Sequence, residues 1–228
     1  MKVKPLAWDS HFFKKQIGEV FVENEKDRIS NFREFDLLYL YSPKPLTITI
    51  SGFYNTFHEK KVVFTKTLIK ESPARNNNVI SVFDSVFSEE GLYPLAFISG
   101  THSRFKKDPN FSSKEFKGLY KKWIDNSFQK LIARDIFVYV EKNDVLGFVT
   151  FQMNNKKGTI GLIAVSEKAQ GKGVGAALIS QVEAYLVNKN ISQLDIPTQS
   201  TNRVACNFYE KMGYQIKEST EIYHFWKI

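Results

Sequence analysis

Apolar residues fall in short runs at residues 17–22, 35–41, 46–50 and 61–69, several alternating in period two, and each run predicts a strand. Turn chemistry separates them: Ser42-Pro43 precedes the third run, and Gly52 with Asn55 follows it. Beyond Glu71 the pattern changes. Ser72-Pro73 and Asn76-Asn77-Asn78 mark a boundary, giving a small β-rich N-terminal module at 1–71 and a second unit at 72–228. Val79, Val82, Phe83, Val86 and Phe87 fall at helical spacing, and residues 93–111 read as an aromatic-rich loop. Ser112 and Glu115 then make a capping-box pattern, in which each side chain satisfies an amide that the helix start leaves orphaned. The helix they open carries Phe116, Leu119, Tyr120, Trp123, Ile124, Phe128, Leu131 and Ile132 along one face, a core-packing stripe.

Next, residues 136–141 and 145–153, joined by Lys142-Asn143-Asp144, predict a hairpin, and residues 159–165 a third strand. A glycine-rich loop leads into a helix over 174–189, a strand over 193–196 and a shorter helix over 202–212. Two last strands are expected around Tyr214 and Ile222. An antiparallel meander followed by strand–loop–helix and strand–helix units implies an α/β protein with a mixed sheet.

Composition narrows this only a little. The chain is 43% hydrophobic and 14% aromatic, enough for a real core. Lys and Arg total 32 against 24 Asp and Glu, a net charge of +8. The basic residues are dispersed in pairs without an aromatic–basic recognition motif, which argues against nucleic acid. Cys206 stands alone, so neither an intrachain disulfide nor a cysteine-based metal site is expected. With no apolar run long enough for a signal segment or a membrane span, a cytoplasmic protein without membrane contacts is expected.

The glycine loop carries the chemistry. Gln170-Gly171-Lys172-Gly173-Val174-Gly175-Ala176 follows the strand that ends Ile163-Ala164-Val165. Glycines let the backbone turn sharply and expose amides to a ligand, and the positive end of the following helix favours a pyrophosphate. Lys172 adds charge there. The spacing is wrong for a dinucleotide fingerprint, which needs Gly-x-Gly-x-x-Gly after the first strand of a parallel sheet. It is also wrong for a P-loop, since Lys172 is followed by Gly173 and not by Ser or Thr.

Gln170-x-x-Gly173-x-Gly175, preceded by Leu162 to Val165, resembles the pyrophosphate loop of the GNAT superfamily of acetyl-CoA-dependent N-acetyltransferases. The segment Asn202 to Gly213, with Ala205 and Phe208-Tyr209-Glu210-Lys211, is similar to a second motif of that family. The resemblance implies a GNAT-type, mostly antiparallel sheet flanked by helices, with acetyl-CoA as co-substrate. It implies a splayed strand whose backbone at 163–165 pairs with the pantetheine arm. Asn202, Ala205 and Phe208 would line the cofactor side, Asn202 doubling as a helix cap.

Tyr209 matches the family's general acid, since a phenol stays protonated at a pH where a thiolate needs a proton; its alternative is a packing aromatic. No side chain stands out as the base, and a water chain is the default. A narrower similarity, in Leu6 to Phe13, Ser103-Arg104-Phe105 and Thr198-Gln199, is to the dTDP-fucosamine N-acetyltransferases, which act on dTDP-4-amino-4,6-dideoxygalactose. That similarity implies a nucleotide-linked amino sugar as acceptor. In the loop from Gly100 to Phe111, Arg104 is a candidate for its diphosphate, with a solvated surface charge as the alternative, and Phe105 or Phe111 a candidate to stack on a base or sugar. Alternatives are a protein N-terminus, a lysine or a small amine as acceptor, or an acyl-CoA-binding module without turnover. At family level a homodimer is possible.

Overall fold

The computed structural model describes residues 1–69 and 76–228. The expected boundary at 71/72 therefore lies outside the described residues. Among the described residues, ten strands make one sheet. They are β1 (Lys4–Pro5), β2 (Ile17–Phe21), β3 (Leu37–Ser42), β4 (Phe53–Thr67), β5 (Val79–Ser81), β6 (Asp135–Glu141), β7 (Asp144–Met153), β8 (Gly158–Val165), β9 (Gln193–Gln199) and β10 (Gln215–Lys227). Their spatial order is β1-β2-β3-β10-β4-β9-β8-β7-β6-β5. Only β2–β3 and β8–β9 pair in parallel, so the sheet is mixed and mostly antiparallel. Both β3 and β4 pair with β10, and β4 also pairs with β9. Residues 1–69 thus share one continuous sheet with the remainder of the chain.

Among the described residues, six helices cover the two faces: α1 (Ala7–Phe13), α2 (Glu89–Ser99), α3 (Arg104–Lys107), α4 (Ser113–Phe128), α5 (Val174–Asn188) and α6 (Arg203–Lys211). Leu178, Ile179 and Val182 of α5 and Tyr209 of α6 pack on Phe64, Val149, Phe151 and Ile196. Elsewhere, Phe13 of α1, Leu92 of α2, Phe105 of α3 and Leu119 and Ile124 of α4 pack on Tyr39, Ile136, Phe148 and Trp226.

The capping box at Ser112 and Glu115 forms as the sequence predicts. Other segments differ from the pattern reading. Residues 46–50 are not a strand: Leu46, Ile48 and Ile50 lie over a third cluster with Leu38, Leu40 and Phe225. Alternation there serves burial against the sheet and not pairing. Asn55, read as turn chemistry, lies inside β4. Val79–Ser81 is a strand pairing with β6, and its Ser81 hydroxyl caps the 3-10 turn Val82–Asp84 in place of the expected helix. The expected loop at 93–111 contains most of α2 and all of α3. Pro94 inside α2 looks like a breaker but is accommodated. Leu131 and Ile132 lie beyond the end of α4 and are exposed. The two last strands are one, β10, with a bulge between Ile216 and Glu218.

Candidate active site

The sheet opens in one place. β8 pairs with β9 only at Gly158 and Thr159; from Ile160 onward that edge of β8 has no strand partner. On its other edge β8 is bulged, because Gly161 and Leu162 together oppose Thr150 of β7. The Thr150 hydroxyl accepts a hydrogen bond from the Leu162 amide at 2.9 Å, and a Cβ on Gly161 would sit 2.8 Å from that oxygen. Glycine is therefore required at this crowded bulge. Ile163, Ala164 and Val165 send their side chains into the flanking clusters, which leaves the backbone of β8 to face the wedge.

At the end of β8 the chain makes a 3-10 turn at Glu167–Ala169 and then the glycine loop. Gly171 and Gly173 have φ of +74° and +82°, left-handed conformations, and a Cβ on either would meet nothing within 4 Å. The empty space at Gly173 lies at the start of α5, whose N-cap is this residue and makes no side-chain cap. The leading amides of α5 are consequently free to take an anion, aided by the helix dipole. Gly175 faces Phe208, whose ring a Cβ would approach to 3.3 Å. The Gln170 side chain folds back to donate to the Val165 carbonyl at 3.4 Å. Lys172 is exposed beside the loop and does not line the cleft.

Wedge and loop open into one cleft of about 1150 Å³. The cofactor-side candidates Ile163, Ala164, Val165, Gln170, Gly171, Gly173, Val174, Gly175, Ala176, Asn202, Ala205 and Phe208 line it, and so does Tyr209. Asn202 caps α6, its Oδ1 accepting from the Ala205 amide at 3.2 Å, so its amide nitrogen is the part left for a ligand. The Tyr209 ring is buried against Phe64 and Phe208, with centroids 5.5 Å away in each case. Burial raises its pKa, chiefly by desolvation, so the phenol is protonated throughout the physiological range.

The far end of the cleft is lined by Trp8, Asp9, Tyr41, Glu59, Lys61, Arg104 and Trp123, among others. Arg104 stacks over the Tyr39 ring at 4.2 Å and donates to the Tyr41 hydroxyl at 3.1 Å. No carboxylate lies within ion-pair distance of it among the described residues. It remains charged: desolvation pulls its pKa down, but Tyr41 and Tyr39 outweigh that and the net shift is upward.

Phe105 and Phe111 are 6% and 7% exposed and pack on each other and on Phe13; Phe105 still lines the cleft, whereas Phe111 does not. Phe105 also supports Arg104, whose guanidinium lies 4.8 Å from its ring. The open aromatic at this end is Trp8, 43% exposed and stacked on Phe12 at 5.2 Å. Glu59 and Lys61 of β4 went unread in the sequence. The alternation of residues 53–67 would have placed them on one face, but not facing a cleft.

A wedge in a mixed sheet, a glycine loop opening a helix, and Tyr209 thus line one cleft. Residues 103–214, a little under half of the chain, match the acetyltransferase (GNAT) family. Similar proteins include the spore coat polysaccharide biosynthesis protein SpsD of Bacillus subtilis. It is 26% identical over 137 residues, 60% of this chain and 47% of that one. Streptothricin acetyltransferase from Escherichia coli is 25% identical over 170 residues, 67% of this chain and 87% of that protein. The chain spans about half the length of the first curated relatives it matches. In fold it is similar to a GNAT-family acetyltransferase from Novosphingobium aromaticivorans. That structure gives a TM-score of 0.57 at 12% identity, covering 85% of this chain and 75% of the other.

Proposed function

We propose that this chain transfers the acetyl group of acetyl-CoA to the amine of a nucleotide-linked amino sugar of the 4-amino-4,6-dideoxyhexose type. The observation that carries this reading is the single cleft, which runs from the free N-terminus of α5, past Tyr209, to the unpaired guanidinium of Arg104. Acetyl-CoA supplies an activated thioester, so the protein needs mainly to place the amine and manage protons. The first amides of α5 would hold the pyrophosphate, and the unpaired edge of β8 would hold the pantetheine arm. One β8 amide can also donate to the thioester oxygen as charge develops there. Tyr209 would protonate the departing sulfur.

At the other end, Arg104 would bind the diphosphate of the acceptor through its planar fork, already oriented by Tyr39 and Tyr41. Trp8 offers the exposed ring on which a base can stack. Likeness to a spore coat polysaccharide biosynthesis protein is in keeping with a sugar acceptor.

The test is release of CoA thiol, with product mass, from acetyl-CoA and a panel of amines: dTDP-4-amino-4,6-dideoxygalactose, a peptide N-terminus, free lysine and a polyamine. The reading expects the nucleotide sugar to give the highest kcat/KM. A preference for peptide, lysine or polyamine contradicts it.

A further inference from the structure

The turn between α2 and α3 brings several hydroxyls to the cleft wall, and all but one of them are spent on the backbone. Ser99 Oγ donates to the Ala96 carbonyl at 2.7 Å, and Thr101 Oγ1 donates to the Ile98 carbonyl at 2.8 Å. Ser103 lines the same cleft and is 7% exposed, yet its Oγ has no partner among the described residues. A serine at the N-cap of a helix ordinarily accepts from a first-turn amide. Here no such side-chain cap forms, and the amides of Lys106 and Lys107 go to the Ser103 backbone carbonyl instead. The hydroxyl is left over. A buried polar group without a partner costs stability, so its persistence points to a ligand that completes it.

The neighbouring hydroxyl belongs to Tyr120 of α4, a buried ring that also lines the cleft. Phe116 and Trp123 hold this ring, each with its centroid 4.8 Å away. A Cβ on Gly100 would fall 2.4 Å from Tyr120 Cζ, so glycine there admits the ring beside the turn that carries Ser103. Burial pushes the phenol up to about 12 and Ser103 partly opposes this, so the two hydroxyls are close and both are neutral. No bond of ordinary geometry ties Ser103 Oγ to Tyr120. The charges that act on Tyr120 are Glu59, whose carboxyl burial pushes up to about 7, and Arg104.

Two adjacent neutral hydroxyls can each donate and accept, and the group that answers both is another alcohol. A phosphate or carboxylate would draw on Arg104, and an apolar group would leave both hydroxyls dry. We propose that Ser103 Oγ and the Tyr120 hydroxyl together bind a ring hydroxyl of the acceptor, so that the cleft selects a hydroxylated amine. The inference rests on the nucleotide amino sugar reading above and adds to it a point that recognises the sugar ring. Ser103 directly precedes Arg104, so one turn of backbone supplies both the proposed ring contact and the proposed diphosphate contact.

The test compares wild type, Ser103→Ala and Tyr120→Phe on dTDP-4-amino-4,6-dideoxygalactose and on its 2-deoxy and 3-deoxy analogues. For wild type, kcat/KM should fall about 10²-fold on the analogue that lacks the bound hydroxyl, and little on the other. Each variant should lose about 10-fold on the parent sugar. On the sensitive analogue neither variant should lose anything further, because the contact is already gone. Acetyl-CoA affinity by calorimetry should stay at the wild-type value throughout. Losses of equal size on all the sugars, or none on the parent, overturn the proposal and make the pair a packing feature. Wild-type inactivity on every one of these sugars would instead contradict the proposed acceptor, and the pair would lose its ligand with it.

Discussion

Tyr209 is proposed to meet the departing sulfur and Arg104 the acceptor's diphosphate, and each should fail differently when changed. Tyr209→Phe keeps the ring against Phe64 and Phe208 but removes the hydroxyl. Single-turnover acetyl transfer should drop about 10²–10⁴-fold, with acetyl-CoA affinity and melting temperature nearly unchanged. Loss of acetyl-CoA binding together with rate would point to a packing role. Arg104→Ala should raise KM for the nucleotide sugar by about 10–100-fold, as expected for a charge-assisted hydrogen bond, and leave the acetyl-CoA constant alone. Equal KM values in steady-state assays would make Arg104 a partner of Tyr39 and Tyr41 only.

Glu59 adds a stability effect with a definite sign. Its folded pKa of about 7 lies above the ordinary 4.5, so between these values the folded chain holds a proton that the unfolded chain has lost. Stability falls as pH rises through that window and stays reduced above it. Glu59→Gln should therefore melt at the same temperature as wild type or higher at pH 8, in a thermal scan. A lower melting temperature would mean the carboxylate has a structural partner.

At the scale of elements, the proposed cofactor site rests on the strand–glycine loop–helix unit. Gly173→Val would place a side chain in the open space before α5 and force a β-branched residue to φ of +82°. Calorimetry on the folded variant should show acetyl-CoA binding lost; unchanged affinity would remove the loop from the site. This unit was legible in the sequence because glycine spacing, an apolar strand and an amphipathic helix are all local signals. The capping box of α4 was legible for the same reason.

What the sequence hid depended on distant partners. The apolar 46–50 run could not reveal that it packs over β3 and β10, nor could residues 215–227 reveal one strand zipped between β3 and β4. Phe111 read as a stacking ring because its burial against Phe13 and its absence from the cleft lining are invisible locally. Glu59 was hidden for the converse reason: a single glutamate in a polar stretch of strand carries no sign of facing a cleft.

For the whole molecule, continuity of the sheet is what joins the two halves of the cleft. β4 lies between β10 and β9, carrying Glu59 and Lys61 to the site that β8, α5 and α6 complete. Behind Arg104 the same sheet is pinned by Asp108, 1% exposed, which accepts from Trp226 at 2.9 Å and bonds His224 at 2.6 Å. Burial lowers the His224 pKa to about 4, against the partial opposition of Asp108. Below its ordinary value of 6.5 the unfolded chain takes up a proton that the folded chain refuses, so stability should decline as pH falls from 6.5 towards 4. Denaturant melts in that range should show the slope, and His224→Phe should flatten it if the variant folds.

The proposed amine acetylation takes place at the end of the cleft that β4 and Arg104 line. The most direct measurement is kcat/KM of the wild-type protein with acetyl-CoA for dTDP-4-amino-4,6-dideoxygalactose and for a peptide amine under identical conditions. A strong preference for the nucleotide sugar, lost in Arg104→Ala, is the predicted result. Equal or better turnover of the peptide would contradict it.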